Sequence, residues 1–456
     1  MQHLLPVVDR SRFSEGWGRC QRARFLQYSS VNGFGVRRKQ QSLPLATGIV
    51  VHGILESLLK LGPADKTQQR QIIINKVEEY KKTALASGIL QLAQETNNEE
   101  SEKELKEVVA EQASLVEGLA WAAVKSLLPK IWREFEVVAV EHEEEYVLEC
   151  DCGLGSGSGT GDDHEARECG GIVLMSKPDL ILRDNTTKQL CYVEFKTSGD
   201  VGNYNWREQF EDNVQLALGV VGAEKRLGEE IPNCFVVGFN KGWRKKGYNT
   251  ETGEYSGRKT QDSPFCYAYK KAANPPHWEE EWRTQWKYID ADGKNRILKG
   301  KGFDKAKVWE GEFAARPAGW TKLEYWTEFI GEEAEKEIVW LGPLPTSRYL
   351  VNDLLEGLGA EEKRWQERLW KIWEAKPEEF RATLNKQVPQ SWECHRWGKK
   401  CQFLSVCRQD EELVDEEGRL KEGWQFRRPH HAREIRVMER LGVPVPEENA
   451  EEEETE

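Results

Sequence analysis

Apolar positions recur at helical spacing over residues 45–60 (LATGIVVHGILESLLK), and again over 68–96 and 103–134, which predicts a helical region. The period then changes. Residues 135–149 (FEVVAVEHEEEYVLE) alternate and are rich in β-branched side chains, the pattern of a strand. Residues 150–171 break every pattern with Gly and Ser and predict a flexible loop. Two apolar runs follow, IVLMSKPDLILR and QLCYVEFKTS, separated by the turn signal DNTTK; together they predict a β-hairpin. A helix over 207–228 and strands over 233–242 and 265–271 come next. Residues 272–345 are Trp-rich with mixed signals, and 346–386 are again helical. The order predicts an α/β fold, a mixed central sheet flanked by helices. It divides the chain into a basic N-terminal segment (1–44), a core (45–271), a Trp-rich insertion (272–345), a helical segment with a cysteine cluster (346–410) and a charged, partly disordered tail (411–456).

Composition narrows the class. The chain has 456 residues and no run of about 20 apolar residues, so no membrane span is expected. The N-terminus has no apolar signal region, so a cytoplasmic location is expected. The net charge of −13 argues, by itself, against nucleic acid as a partner. The charge is unevenly spread, however. The tail PEENAEEEETE is a block of acid, whereas Arg10, Arg12, Arg19, Arg22, Arg24, Arg37, Arg38 and Lys39 make the first forty residues basic. A second basic stretch, Lys241, Arg244, Lys245 and Lys246, surrounds Trp243. Basic residues interleaved with aromatics can grip phosphate and stack bases, although two solvated faces would read the same way. No G-x-x-x-x-G-K-[ST] occurs, so the chain carries no P-loop motor; a separate helicase or recombination partner would have to supply DNA strands.

The hairpin carries the candidate chemistry. Glu194 and Lys196 are two apart on a strand and share a face. The partner strand can bring Asp179 beside Glu194. Two carboxylates on one face repel unless a cation lies between them. Mg²⁺ or Mn²⁺ suits that place, because hard ions take oxygen ligands and keep waters. Lys196 could then orient the attacking water, and the chemistry such a trio suits is phosphodiester hydrolysis. The acid-x-Lys pattern also occurs at Glu79-Tyr80-Lys81, Glu104-Leu105-Lys106 and Asp292-Gly293-Lys294, but those fall in helical patterns or a turn. A surface salt bridge on an edge strand is the plainer reading of the same residues.

The chain has ten cysteines. In a reducing compartment they are not a disulfide framework. Cys394, Cys401 and Cys407 lie close together, with Cys20 far away, a grouping that points to thiolate ligation of zinc or of an iron–sulfur cluster. Ordinary buried cysteines are the alternative. Cys150, Cys152, His164 and Cys169 could form a second zinc set, but their glycine-rich context favours a plain loop.

Pro178-Asp179 and Glu194-Phe195-Lys196 resemble the core of the PD-(D/E)XK nuclease superfamily, in particular its RecB-type exonuclease branch. The resemblance implies a restriction-endonuclease-like sheet and a DNA exonuclease acting on single-stranded or frayed ends in DNA processing, recombination or repair. It implies that Asp179, Glu194, Phe195 and His52 surround a divalent ion. It implies that Gln215, on the helix after the lysine strand, joins Lys196 in the active site. That branch usually has a tyrosine four residues after the glutamine; here the position is Gly219. A subset of the branch, similar to AddB-type and CRISPR-adaptation nucleases, carries one cysteine before the core and three after it. Cys20, Cys394, Cys401 and Cys407 match that layout, which implies a four-iron four-sulfur cluster joining the helical ends. The first gap in the triplet, from Cys394 to Cys401, is longer than usual there. A non-catalytic DNA-binding or assembly subunit with the same fold, and a zinc-stapled protein of other function, are the competing expectations.

Overall fold

The computed structural model describes most of residues 20–149, 172–245 and 319–427, together with short stretches such as Val7–Asp9 and residues around His431. Residues 150–171, Trp243 and nearly all of 266–318 lie outside the described residues, and with them the second cysteine set and most of the strand expected over 265–271. Phe265, which is described, is buried and not in a strand.

The fold is mixed α/β. A first short helix, α1 (Gln21–Tyr28), precedes α2 (Leu43–Leu61), α3 (Lys66–Glu95) and α4 (Glu99–Ala122). The last of these continues through a π-turn into α5 (Leu128–Glu134). α2 turns Val51, Ile54, Leu55, Leu58 and Leu59 inward, at the spacing its sequence predicts, and stops at Gly62 with φ 77°. The central sheet has five strands in the order β3(Phe135–Val140), β6(Leu180–Asp184), β7(Leu190–Ser198), β8(Asn233–Asn240) and β9(Ile338–Pro345). β7 and β8 run parallel; the other neighbours are antiparallel. A smaller sheet holds β1(Val7–Val8), β5(Ile172–Ser176) and β4(Glu144–Glu149), in that order.

Two differences from the sequence reading matter. The strand expected over 135–149 is two strands in two sheets, broken at Glu141, whose φ is 48°. The segment 338–345, expected within the Trp-rich insertion, is instead the fifth strand of the central sheet, so the core extends beyond 271.

The predicted hairpin is β6–β7, with Leu180 opposite Val193 and Arg183 opposite Leu190, but its first run, expected as one strand, is split: Ile172–Ser176 is β5 of the smaller sheet and only Leu180–Asp184 pairs with β7. Its turn forms because Asp184 accepts hydrogen bonds from the backbone N–H of Thr186 and Thr187 at 2.8 and 2.7 Å, an Asx turn. Both faces of β7 are covered. Cys191, Val193 and Phe195 enter a core built with α2, α3, α4 and α5. Leu190 and Tyr192 enter a second core with α6 (Val214–Leu227) and α7 (Arg348–Trp373). The helix expected over 346–386 is α7 followed by α8 (Pro377–Gln387), parted just before Pro377, which suits a first helical turn but not an interior.

A third core joins the chain's two ends. Ala23, Phe25 and Leu26 of α1 pack on Trp365, Leu369 and Ile372 of α7, with Leu384, Phe403 and Trp424. Arg24 pairs with Glu362 at 2.5 Å and lies over the Trp365 ring. β2(Val36–Arg38) pairs with β10(Trp424–Phe426), and Arg38 forks onto Glu411 at 2.8 and 2.6 Å.

Buried His431 adds a further tie. Its Nδ1 lies 2.6 Å from Glu143 and its Nε2 3.2 Å from Asp9, while Arg12 joins Asp9 to Glu434. Both ring nitrogens face carboxylates, so the doubly protonated imidazolium fits best. Burial alone would lower the His431 pKa, but Asp9 and Glu434 outweigh it and raise it. Burial likewise opposes ionisation of Asp9, and Arg12 and His431 overcome it, holding its pKa below the usual range. The His431 contribution to stability is therefore complete below about pH 6.5 and is lost as pH rises through the raised folded value. The Asp9 contribution is complete above about pH 4 and is lost as pH falls through its lowered value. Melting curves should show His431→Gln lowering Tm by about 2–4 °C at pH 6 and by clearly less at pH 9. An equal loss at both pH values would show that the charge has no part in the tie.

Candidate functional site

The ends of β6 and β7, α2 and the turn after β3 enclose a cleft of about 660 Å³. Its lining includes His52, Glu141, Lys177, Asp179, Phe195, Lys196 and Lys241. α2 comes close to β7 because residue 48 is glycine: a Cβ there would sit 2.8 Å from the Thr197 hydroxyl. That approach brings His52, one turn further along, over the cleft.

Asp179 lies just before β6 and is buried. Its Oδ2 accepts the Phe195 backbone N–H at 2.6 Å, and its Oδ1 lies 3.5 Å from His52 Nδ1. The His52 ring meets Phe195 edge to face, which fixes its plane. Glu141 completes the group, its backbone N–H donating to the Asp179 carbonyl at 3.1 Å. One ligand atom each from His52, Glu141 and Asp179 lie within 4.8 Å of one another.

The charges in this group are unequal. Burial opposes Asp179 ionisation, yet His52, Lys196 and the Phe195 N–H overcome it and hold its pKa below the usual value. Burial lowers the His52 pKa, but Asp179, Glu194 and Glu141 raise it by more. Glu141 goes the other way: burial and the Asp179 charge push it up to about 7, against the pull of Lys177 at 2.8 Å. Asp179 is thus the ionised member of the pair and Glu141 keeps its proton to near neutrality. An imidazole and two carboxylates converging in a cleft are a donor set for a divalent ion such as Mn²⁺ or Mg²⁺.

Glu194 is also buried, but it stands apart from that group. Its Oε1 accepts from Lys196 Nζ at 2.5 Å and from the Gln215 amide; its Oε2 accepts from the Tyr192 hydroxyl at 2.7 Å. Burial, with the nearby Glu194 and Asp179 charges, raises the Tyr192 pKa well above the usual value and keeps the hydroxyl a donor. Gln215 reaches Glu194 from the first turn of α6. Asn213 caps that helix, accepting from the backbone N–H of Gln215 and Leu216 at 2.9 and 3.3 Å. Hence Asp179, His52, Phe195, Glu194, Lys196 and Gln215 do assemble at one place, but Glu194 faces Lys196 and Gln215 while Asp179 faces His52. Glu141, which the sequence reading passed over, fills the place beside Asp179. Its signal was the run of acids that ends β3, the strand paired with that of Asp179.

Cys20, Cys394 and Cys401 lie near enough to Cys407 to act on its charge. Burial pushes the Cys407 thiol up to about 11 against the pull of Arg22, and Cys20, Cys401 and Cys394 add to the rise; among the described residues no three of these thiol sulfurs lie within 4.8 Å of one another. Cys20, Cys401 and Cys407 pack against the third core, and none of the four is in a disulfide. Cys20 stands at the N-cap of α1, and the Cys401 N–H donates to the Cys394 carbonyl at 2.9 Å.

No family model and no curated protein matches the chain. Among the described residues, no helix is long and apolar enough to cross a membrane.

Proposed function

We propose that this chain is a metal-dependent DNA nuclease, a PD-(D/E)XK exonuclease with a restriction-endonuclease-like core. The observation that carries the reading is the convergence of His52, Glu141 and Asp179 within 4.8 Å, beside Lys196, in an open cleft. A divalent ion held there would polarise a phosphodiester and acidify a water. Asp179, kept ionised by its neighbours, would bind that ion, and His52, whose pKa is raised, would join it on losing its proton. Glu141 would join once its proton leaves, so ion affinity should rise with pH through about 7 as Glu141 and His52 lose their protons. Lys196 Nζ, anchored on Glu194 and partly exposed, orients water or phosphate at the cleft wall. Lys177 and Lys241 offer positive charge to the flanking phosphates. Cys20, Cys394, Cys401 and Cys407 would hold a four-iron four-sulfur cluster whose part is structural: it staples the chain's ends. The pathway in this reading is DNA processing, recombination or repair, with strands supplied by a separate helicase.

The test is incubation of the purified protein with end-labelled single- and double-stranded DNA. Degradation is expected with Mn²⁺ or Mg²⁺, and none with a chelator. A non-catalytic DNA-binding subunit is the second reading, and the full complement of donors around Glu194 favours it. DNA bound but left intact under every metal would establish that second reading and sink the first.

A further inference from the structure

Glu194 is held from inside the core as well as from the cleft. Tyr192 precedes it by two residues on β7 and shares its face, 2% exposed. The Tyr192 hydroxyl takes one carboxylate oxygen, and Lys196 with Gln215 takes the other. Opposite the ring stands Gly219 of α6. A Cβ at 219 would lie 2.5 Å from Cε2, Cζ and the hydroxyl oxygen of Tyr192. The ring therefore fills the space a side chain at 219 would need. Gln215 is one helical turn earlier on the same face, so the close approach that Gly219 permits is also what lets Gln215 reach Glu194.

We propose that Tyr192 is a positioning residue of the cleft: its hydroxyl fixes the Glu194 carboxylate so that Lys196 is held at the cleft wall, and Gly219 is the space that admits it. The proposal rests on the nuclease reading for its catalytic consequence. Without the hydroxyl, Oε2 of Glu194 loses the Tyr192 donor, and the carboxylate that anchors Lys196 is held less firmly, through Oε1 and Gln215. The donors around the ion, His52, Glu141 and Asp179, are untouched, as are the lysines facing flanking phosphates. Turnover should suffer while substrate affinity does not.

Tyr192→Phe keeps the ring and removes only the donor. In the full-length protein with Mn²⁺ and DNA, kcat should fall about tenfold or more, with KM within about twofold and Tm within a few degrees. A second readout needs no turnover. Lys196, labelled with an amine-acylating reagent and quantified by peptide mass spectrometry, should react several-fold faster in Tyr192→Phe than in the wild type. Gly219→Ala, which presses on the ring, should raise it too. A kcat within twofold of wild type overturns the proposal, and so does unchanged Lys196 labelling, even where kcat has dropped with Tm. If the wild type degrades no DNA at all, the nuclease reading fails, and the labelling alone decides whether Tyr192 holds the pair.

Discussion

Lys196→Ala is expected to lower DNA degradation by a factor of about 10²–10⁴, the range for removing a positioned proton donor or charge at a reacting centre. Binding should hardly change. Lys196 is one of three lysines on the cleft, with Lys177 and Lys241, so the loss of one phosphate contact costs little affinity. The measurement is paired: degradation in Mn²⁺, and DNA affinity in Ca²⁺, where turnover is suppressed. The variant also removes the Lys196 cation from buried Glu194, which keeps the Tyr192 and Gln215 donors, so its melting temperature must be recorded beside its activity. Full activity would remove Lys196 from the mechanism and with it the nuclease assignment.

The second large effect belongs to the cysteines. Cys407→Ser should bleach a brown, broadly absorbing protein and destabilise it by about 2–5 kcal/mol, the range for losing a native cross-link that closes a long loop. The loss should be local first. α1 is held through the third core, by α7 and by α8, so protease should reach the N-terminal segment before the central sheet. Wild type prepared without oxygen that is colourless and loaded with zinc would keep the staple but overturn the iron–sulfur assignment.

The site was legible in the sequence where the signal was local. Asp179, Glu194 and Lys196 stood out because an Asx turn sits between two apolar runs, and that same turn builds the hairpin. His52 and Gln215 were legible only through the resemblance to the nuclease family; their helical patterns alone read as packing. Glu141 was only faintly legible: it opens the acidic run EHEEE, which reads as a solvated face in which no one acid stands out. The chain breaks at a positive φ on a residue type that rarely adopts one, and only the pairing of β3 with one sheet and β4 with another reveals it. Tyr192 was hidden for a different reason: in a strand covered on both faces, an aromatic residue reads as packing until its hydroxyl finds a partner. The edge strand β9 lies about a hundred residues from β8, and no local pattern announces so distant a partner. The Gly219 departure was visible in the sequence, but its cause, a ring arriving from β7, was not.

The joining of the two ends has a consequence for how the protein is made. Arg38 meets Glu411 across 373 residues of chain. At about 5–20 residues per second, the ribosome needs roughly 20–75 s to deliver the second after the first. During that interval the central sheet can close, but α1 and Cys20 wait with their apolar face uncovered. The segment around α1 is therefore the one a chaperone would have to shield until Glu411 and Trp424 have been made.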